Sequence, residues 1–247
     1  MLSDLIVAKK KFENIFVLNT GRCGSTTFAK ACDYITNYSS AHESRASLIG
    51  DSRLNYPTSH IEVDNNLSWM LGELDQRYGN EAFYVHLERE KGKVVASCNK
   101  LWGHSFNNLK FFTGLLGNVP ELLSDADKLT VTTQFIDSVI SSINLFLRDK
   151  TNVVRVDIDD PKKTFTEFWQ RIGAEGDLEK ALMEFDVRHN ENLTSSETTR
   201  ADQAFQKEIR EKIFEKLISE APSRAERLKL KFRLALFRLT GLRSEDF

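Results

Sequence analysis

The chain has 247 residues, 40% hydrophobic and 28% charged, with a formal net charge of −2; this is the make-up of an ordinary globular protein with one sizeable core, and it gives no global electrostatic case for a nucleic-acid partner. No apolar run approaches the about 20 residues a bilayer span needs, and the N-terminal apolar stretch precedes its lysines, the reverse of a secretory signal. The three cysteines, Cys23, Cys32 and Cys98, form no disulfide framework and the five histidines never fall at ligand spacing, so a cytoplasmic setting and no metal site are expected.

Phe12 to Leu18 is rich in β-branched and aromatic residues and runs into Thr20-Gly21, which predicts a buried strand. A helix follows over Ser25 to Tyr34. Residues 36–60 are rich in Ser, Asn, Thr and His, which reads as a long loop, or a short strand with loops, of the kind that often carries function. Leu67, Met70, Leu71 and Leu74 share one face of a predicted helix over Asn66 to Tyr78. Ala82 to Leu87 predicts a second strand, Val94 to Trp102 a helix, Thr130 to Arg148 a long helix with Phe135, Val139, Ile143 and Phe146 in register, and Val153 to Ile158 a third strand. A helix over Thr164 to Ile172 ends at Gly173. Strands alternating with helices predict an α/β domain with a central parallel sheet covered on both faces, a three-layer α/β/α arrangement over residues 1–195. Residues 196–247 are expected to form a helical C-terminal extension packed on the same domain. Its end, Arg224 to Arg243, is cationic and rich in Leu and Phe; packing of that apolar face is the expectation, with contact to an anionic membrane surface the alternative.

Chemistry concentrates at Thr20-Gly21-Arg22-Cys23-Gly24-Ser25-Thr26-Thr27. A helix N-terminus presents free N–H groups and a partial positive charge. Gly21 and Gly24 let the backbone bend close to a ligand, Ser25, Thr26 and Thr27 add hydroxyls, and Arg22 adds a donor fork suited to phosphate or sulfonate oxygens. Together these predict an anion cradle at the end of a strand. It is not a Walker A loop, because no lysine follows Gly24.

The segment Thr20 to Thr26 resembles the 5′-phosphosulfate loop of sulfotransferases that use 3′-phosphoadenosine 5′-phosphosulfate (PAPS), in the arginine form found in tyrosylprotein, carbohydrate and bacterial members. Tyr84 to Ser97 resembles the same family's 3′-phosphate element, a strand ending in Arg followed by a helix bearing Ser; Arg89 and Ser97 occupy those places, with Glu90-Lys91 where the family carries Asp-Pro. Val153 to Ile158 and Phe165 to Gly173 are similar to a later strand and helix. The resemblance covers roughly residues 12–175, with a poor match from Leu101 to Ser124. It implies a P-loop-like fold and a donor site in which Arg22 and the amides of Cys23, Gly24, Ser25 and Thr26 grip the 5′-phosphate and the sulfuryl group. Thr27 would stand beside them, and Arg89 and Ser97 would grip the 3′-phosphate.

Transfer to a hydroxyl needs a base and a stabilised leaving group. The resemblance implies a catalytic Glu near Ala41-His42-Glu43-Ser44-Arg45, so Glu43 is the first candidate and His42 the second, its ordinary pKa suiting neutral pH. His60, Glu62 and Asp64 form a polar cluster expected to meet the acceptor, as are Trp102, His104 and Phe106. The predicted activity is sulfuryl transfer from PAPS to an acceptor hydroxyl, on a carbohydrate or another small acceptor. A divergent P-loop kinase or NTPase, and an inactive sulfotransferase-like binding protein, remain open.

Overall fold

A computed structural model of the chain describes residues 12–104, 107–187 and 221–240, with Glu215, Ile218 and Ser219. Among the described residues five strands form one sheet: β1 (Asn14–Leu18), β2 (Ser39–His42), β3 (His60–Val63), β4 (Phe83–Glu88) and β5 (Val153–Asp157). The order is β2-β3-β1-β4-β5, and every pairing is parallel. The central strand β1 is buried along its whole length and β4 nearly so, which is why both read as unbroken apolar runs. β1 has β3 on one side and β4 on the other; the connection leaving β1 runs toward β2 and the one leaving β4 runs toward β5, so a crevice of the kind where open α/β sheets hold ligands opens between the C-terminal ends of β1 and β4.

The α-helices with described bounds are α1 (Ser25–Cys32), α2 (Leu71–Tyr78), α3 (Lys91–Asn99), α4 (Asn108–Leu115), α5 (Asp125–Leu147), α6 (Pro161–Ile172), α7 (Leu178–Met183) and α8 (Arg224–Thr240). Two neighbours in β4 show that they form two layers. Phe83 meets Phe168 of α6, with ring centroids 6.4 Å apart, while Tyr84 meets Phe146 of α5 edge-on at 5.1 Å. Successive strand residues point to opposite faces, so α6 and α5 cover opposite sides of the sheet. On the α6 side Phe28 of α1 packs between Phe165 and Phe168; on the α5 side Phe16 of β1 packs on Tyr56, Tyr78 and Tyr84. This is the predicted α/β/α sandwich.

Several elements differ from the sequence expectation. The stretch 36–60 is a short strand with loops, the second of its two expectations, with the edge strand β2 and a 3-10 turn at Gly50–Arg53; the unexpected element is β3, which starts at its last residue, His60. The expected helix over Asn66 to Tyr78 is two pieces, a 3-10 turn at Asn65–Trp69 and then α2, because Met70 leaves helical geometry at φ −123°. α5 starts at Asp125, five residues before the expected Thr130, since Ser124 and Asp127 form a reciprocal capping box. α6 begins at Pro161, whose fixed φ suits the first helical position, and ends at left-handed Gly173 as expected. The poorly matched stretch 101–124 contains α4.

The described residues fall into two compact units, one within Met1–Trp102 and Asn108–Asn190, the other within Gly103–Asn107 and Glu191–Phe247. α8 belongs to the second. The expected domain boundary at 195/196 and residues 198–214 of the expected C-terminal helix lie outside the described residues. Among the described residues no helix is long and apolar enough to cross a membrane.

Candidate active site

The turn after β1 is built by its own sequence. Asn19, fully buried, accepts a hydrogen bond from the Gly21 amide at Oδ1 (2.8 Å) and donates to the Val17 carbonyl through Nδ2 (3.2 Å). The backbone then turns left-handed at Gly21 (φ 72°), Arg22 (φ 57°) and Gly24 (φ 88°). Gly24 is there for two reasons. Its φ disfavours any L side chain, and a Cβ on it would lie 2.6 Å from Ile158 Cγ1, so the turn rests directly on the residue that follows β5. Gly24 is also the N-cap of α1 and offers no capping side chain, which leaves the helix N-terminus to whatever polar group approaches it. The run of left-handed residues before a helix start is the geometry of an anion-binding nest.

Cys23 turns inward. It is 1% exposed, its Sγ lies 3.5 Å from Asn19 Oδ1, and burial pushes the thiol up to about 12. Only its backbone can serve the site. Arg22 points outward, and its Nε donates to Ser97 Oγ on α3 at 3.2 Å. Arg89, one residue beyond β4, donates from Nη1 to the Arg22 carbonyl at 3.5 Å. The two phosphate elements expected from the sequence therefore meet: Arg22, Arg89 and Ser97 stand together over the C-terminal ends of β1 and β4.

Arg89 is under-satisfied. Its Nε is buried with no hydrogen-bond partner, and the nearest carboxylate oxygen, Asp159 Oδ1, is 4.0 Å away. A guanidinium left with a spare buried donor at a helix N-terminus fits an anion. Glu90, which stands where the family carries Asp-Pro, forms the turn by another route. Its carboxylate caps α3, accepting from the amides of Gly92 (2.7 Å) and Lys93 (2.8 Å), while its own amide donates to Asp159 (3.1 Å). A cavity of about 260 Å³ opens beside this turn, lined by Thr20, His86, Glu88, Arg89 and Asp157 among others.

The other wall of the site comes from the end of β2. His42 Nε2 lies 3.0 Å from Ser25 Oγ, the first hydroxyl of α1. Glu43 is half-buried and left-handed (φ 52°), and its amide donates to the Val63 carbonyl at 3.0 Å. Its Oε1 accepts a hydrogen bond from Asn65 Nδ2 at 2.6 Å. Burial raises the Glu43 carboxyl above its ordinary value, against the pull of His42 and with Asp64 and Glu62 adding to the rise. Thr26 and Thr27 complete the first turn of α1.

The cluster His60, Glu62 and Asp64 is a correction to the sequence expectation. All three are buried in or next to β3, with Glu62 and Asp64 fully so. Glu62 accepts from His60 Nε2 (2.9 Å), from the Ser44 amide (2.7 Å) and from Ser44 Oγ (2.6 Å); Asp64 pairs with Arg53 at 2.5 Å and caps the Asn66 amide at 2.7 Å. These carboxylates hold the turn that carries Glu43 from beneath and do not reach a solvent-side ligand. Of the other residues expected on the acceptor side, Trp102 Nε1 donates to Thr132 Oγ1 at 2.9 Å on α5, the His104 carbonyl accepts from Asn107 Nδ2 at 3.0 Å, and Phe106 lies outside the described residues. Sequence reasoning missed Asn19, Asn65 and Asn108. The Asp64-Asn65-Asn66 run, a cluster of turn formers after an apolar alternation, was the available signal for the second of these.

No protein-family model matches the chain, and no curated protein sequence does. Solved structures do match. The sulfotransferase domain from the curacin biosynthetic pathway aligns at 10% identity over 76% of this chain and 82% of its own, with a TM-score of 0.51. Mouse sulfotransferase SULT7A1, solved in complex with PAP, aligns at 13% identity over 70% of this chain and 62% of its own, with a TM-score of 0.50. With its five-stranded parallel sheet and the turn after β1 at the crevice, the chain has the fold of the sulfotransferases.

Proposed function

We propose that this protein is a sulfotransferase that moves a sulfuryl group from PAPS to an acceptor hydroxyl. The observation that carries the proposal is the convergence of Arg22, Arg89 and Ser97 at the uncapped N-terminus of α1, with a buried Arg89 donor unspent. One anion would need only the turn after β1. A second arginine and a hydroxyl brought in from β4 and α3 suit a donor with a second phosphate, and PAPS carries one on its ribose. The fold it shares with a protein solved in complex with PAP supports the same donor.

In this mechanism the acceptor oxygen attacks sulfur while its proton passes to a base. The bond between sulfur and the bridging oxygen of the 5′-phosphate breaks, and that oxygen keeps the electron pair. Arg22 and the amides at the start of α1 offset the charge that grows there. Glu43 is the base we assign. Among the described residues its Oε2 accepts no hydrogen bond, so that oxygen can take a proton, and burial already favours the protonated form. His42 has Nε2 committed to Ser25 Oγ, which suits it better to orienting the anion turn.

The proposal is tested by incubating the protein with ³⁵S-labelled PAPS and a panel of phenols, sugars and lipid alcohols, alongside calorimetry with adenosine 3′,5′-bisphosphate. Label should move to at least one hydroxyl class and the bisphosphate should bind and inhibit. Magnesium-dependent ATP binding without bisphosphate binding would favour a nucleotide kinase or NTPase. Bisphosphate binding without transfer to any acceptor would favour an inactive binding protein.

A further inference from the structure

Three segments distant in sequence meet at one side chain, Asn65. Its Nδ2 donates to Glu43 Oε1 at 2.6 Å, and its Oδ1 accepts from Asn108 Nδ2, at the start of α4, at 3.2 Å. A Cβ placed on Gly21 would lie 3.6 Å from Asn65 Cγ and Nδ2, so the side chain rests against the anion turn with nothing between. The backbone around it is held independently. Asp64 caps the Asn66 amide and pairs with Arg53, and Ser68 Oγ donates to the Asn19 carbonyl at 3.1 Å, tying the 3-10 turn to the end of β1. Asn65 is thus an amide fixed at both ends of its dipole, with a carboxylate on its donor side and the anion turn on its flank.

We propose that Asn65 is a positioning residue: it holds the Glu43 carboxylate by one oxygen beside the anion turn, so that the other oxygen faces the acceptor's proton. The assignment rests on the donor and base reading above, and it goes beyond that reading by naming the group that sets the base. Asparagine suits the task. An uncharged donor can grip a carboxylate without supplying the full positive charge that would drive its pKa down and weaken it as a base. An aspartate in the same place would set two carboxylates against each other. The Oδ1 contact with Asn108 stops the amide from flipping and offering its oxygen to Glu43.

The charged groups that bear on Glu43 are His42, Asp64, Glu62 and Arg53. None is altered by substituting Asn65, and burial, the largest influence on Glu43, changes in opposite directions when Asn65 becomes leucine or alanine, so a rise common to both variants reports the lost amide. The experiment uses the full chain, with the Glu43 side-chain carboxyl followed by ¹³C NMR across the pH range and assigned by its disappearance in Glu43→Gln. A hydrogen bond to the ionised form lowers a carboxyl pKa, so Asn65→Leu should move the Glu43 midpoint up by on the order of one pH unit. Affinity for adenosine 3′,5′-bisphosphate should stay within about threefold, because the Asn65 hydrogen bonds go to Glu43 and Asn108 and not to the groups assigned to the phosphates. Asn65→Ala carries the same expectation should the leucine variant fail to fold.

In turnover, kcat should fall at neutral pH with the acceptor KM little changed, and the acid limb of the rate profile should move up with the NMR midpoint. A Glu43 midpoint unmoved in the Asn65 variants, with bisphosphate binding intact, overturns the assignment alone. No bisphosphate binding by the wild-type chain overturns the donor reading instead, whatever the titration shows.

Discussion

Arg22 Nε donates to Ser97 Oγ across 3.2 Å, joining the turn after the first strand to a helix 75 positions later in the chain. The bond holds an exposed guanidinium over the end of the sheet, where anions are expected. Substituting either partner should therefore affect donor handling, to different degrees. Arg22→Ala should lower sulfuryl transfer by about 100-fold or more, because in the proposed mechanism it removes the cation that offsets charge on the leaving phosphate. Ser97→Ala should weaken bisphosphate binding by about tenfold while leaving measurable transfer. Calorimetry and a ³⁵S transfer assay distinguish these; equal, small effects of both would mean that the pair is a surface contact.

Gly24 is the position where the anion turn and the fold depend on each other most tightly. Gly24→Ala puts a methyl group against Ile158 at 2.6 Å and forces an alanine into a left-handed backbone, which should cost roughly 2–4 kcal/mol of stability in urea unfolding. Adding Ile158→Ala removes the contact but not the backbone strain, so the double variant should recover part of the loss. Full recovery would show that the left-handed φ costs nothing here.

The Glu43 carboxyl gives a pH-dependent stability with a definite sign. Its folded pKa is raised by burial, so the folded state binds more protons than the unfolded state between the ordinary glutamate value and the raised one. That contribution is fully present below the ordinary value and is lost as pH rises through the folded pKa. Glu43→Gln removes the titration, so the variant should be more stable than the wild type at pH 7, with the difference closing as pH falls toward 4.5. Its transfer activity should be lost while bisphosphate binding persists. A variant less stable than the wild type at pH 7 would show that the ionised carboxylate is held favourably, contrary to its raised pKa.

The thiols should be silent. Cys23, Cys32 and Cys98 are buried, and burial pushes Cys23 to about 12 and Cys98 to about 11. The native protein should react with an aromatic disulfide reagent at pH 8 far more slowly than the urea-unfolded chain. Cys23→Ala should retain bisphosphate affinity within about threefold, since its side chain is buried against Asn19. Protection of Cys23 by the bisphosphate from rapid labelling would show instead that the thiol is accessible.

How much of this was legible in the sequence follows from where each instruction is written. The shape of the turn after β1 was readable because its determinants are local: glycines that permit left-handed backbone, followed at once by a helix start. β1 and β4 were readable because central parallel strands are apolar on both faces. β3 was hidden by the same logic in reverse. His60 and Glu62 break its apolar run, and their burial is tolerable only because Ser39, Ser44 and each other satisfy them, partners that lie elsewhere in the chain. The polar cluster therefore looked like a surface and is an interior. Asn65 was illegible as a site residue for a related reason. An asparagine after a strand announces a turn, while its grip on Glu43 and its rest against Gly21 exist only once β2 and β3 pair. The meeting of Arg22 with Ser97 lay between, since each element could be recognised alone and only the fold brings them together.

The central claim is that two separate phosphate grips form one donor site, and a comparison of adenosine 3′,5′-bisphosphate with adenosine 5′-monophosphate by calorimetry tests it most directly. The wild type should bind the bisphosphate at least about tenfold more tightly, and Arg89→Ala should erase that preference while still binding the monophosphate through the turn after β1. Equal affinity for the two nucleotides in the wild type, or a preference that survives Arg89→Ala, would contradict it.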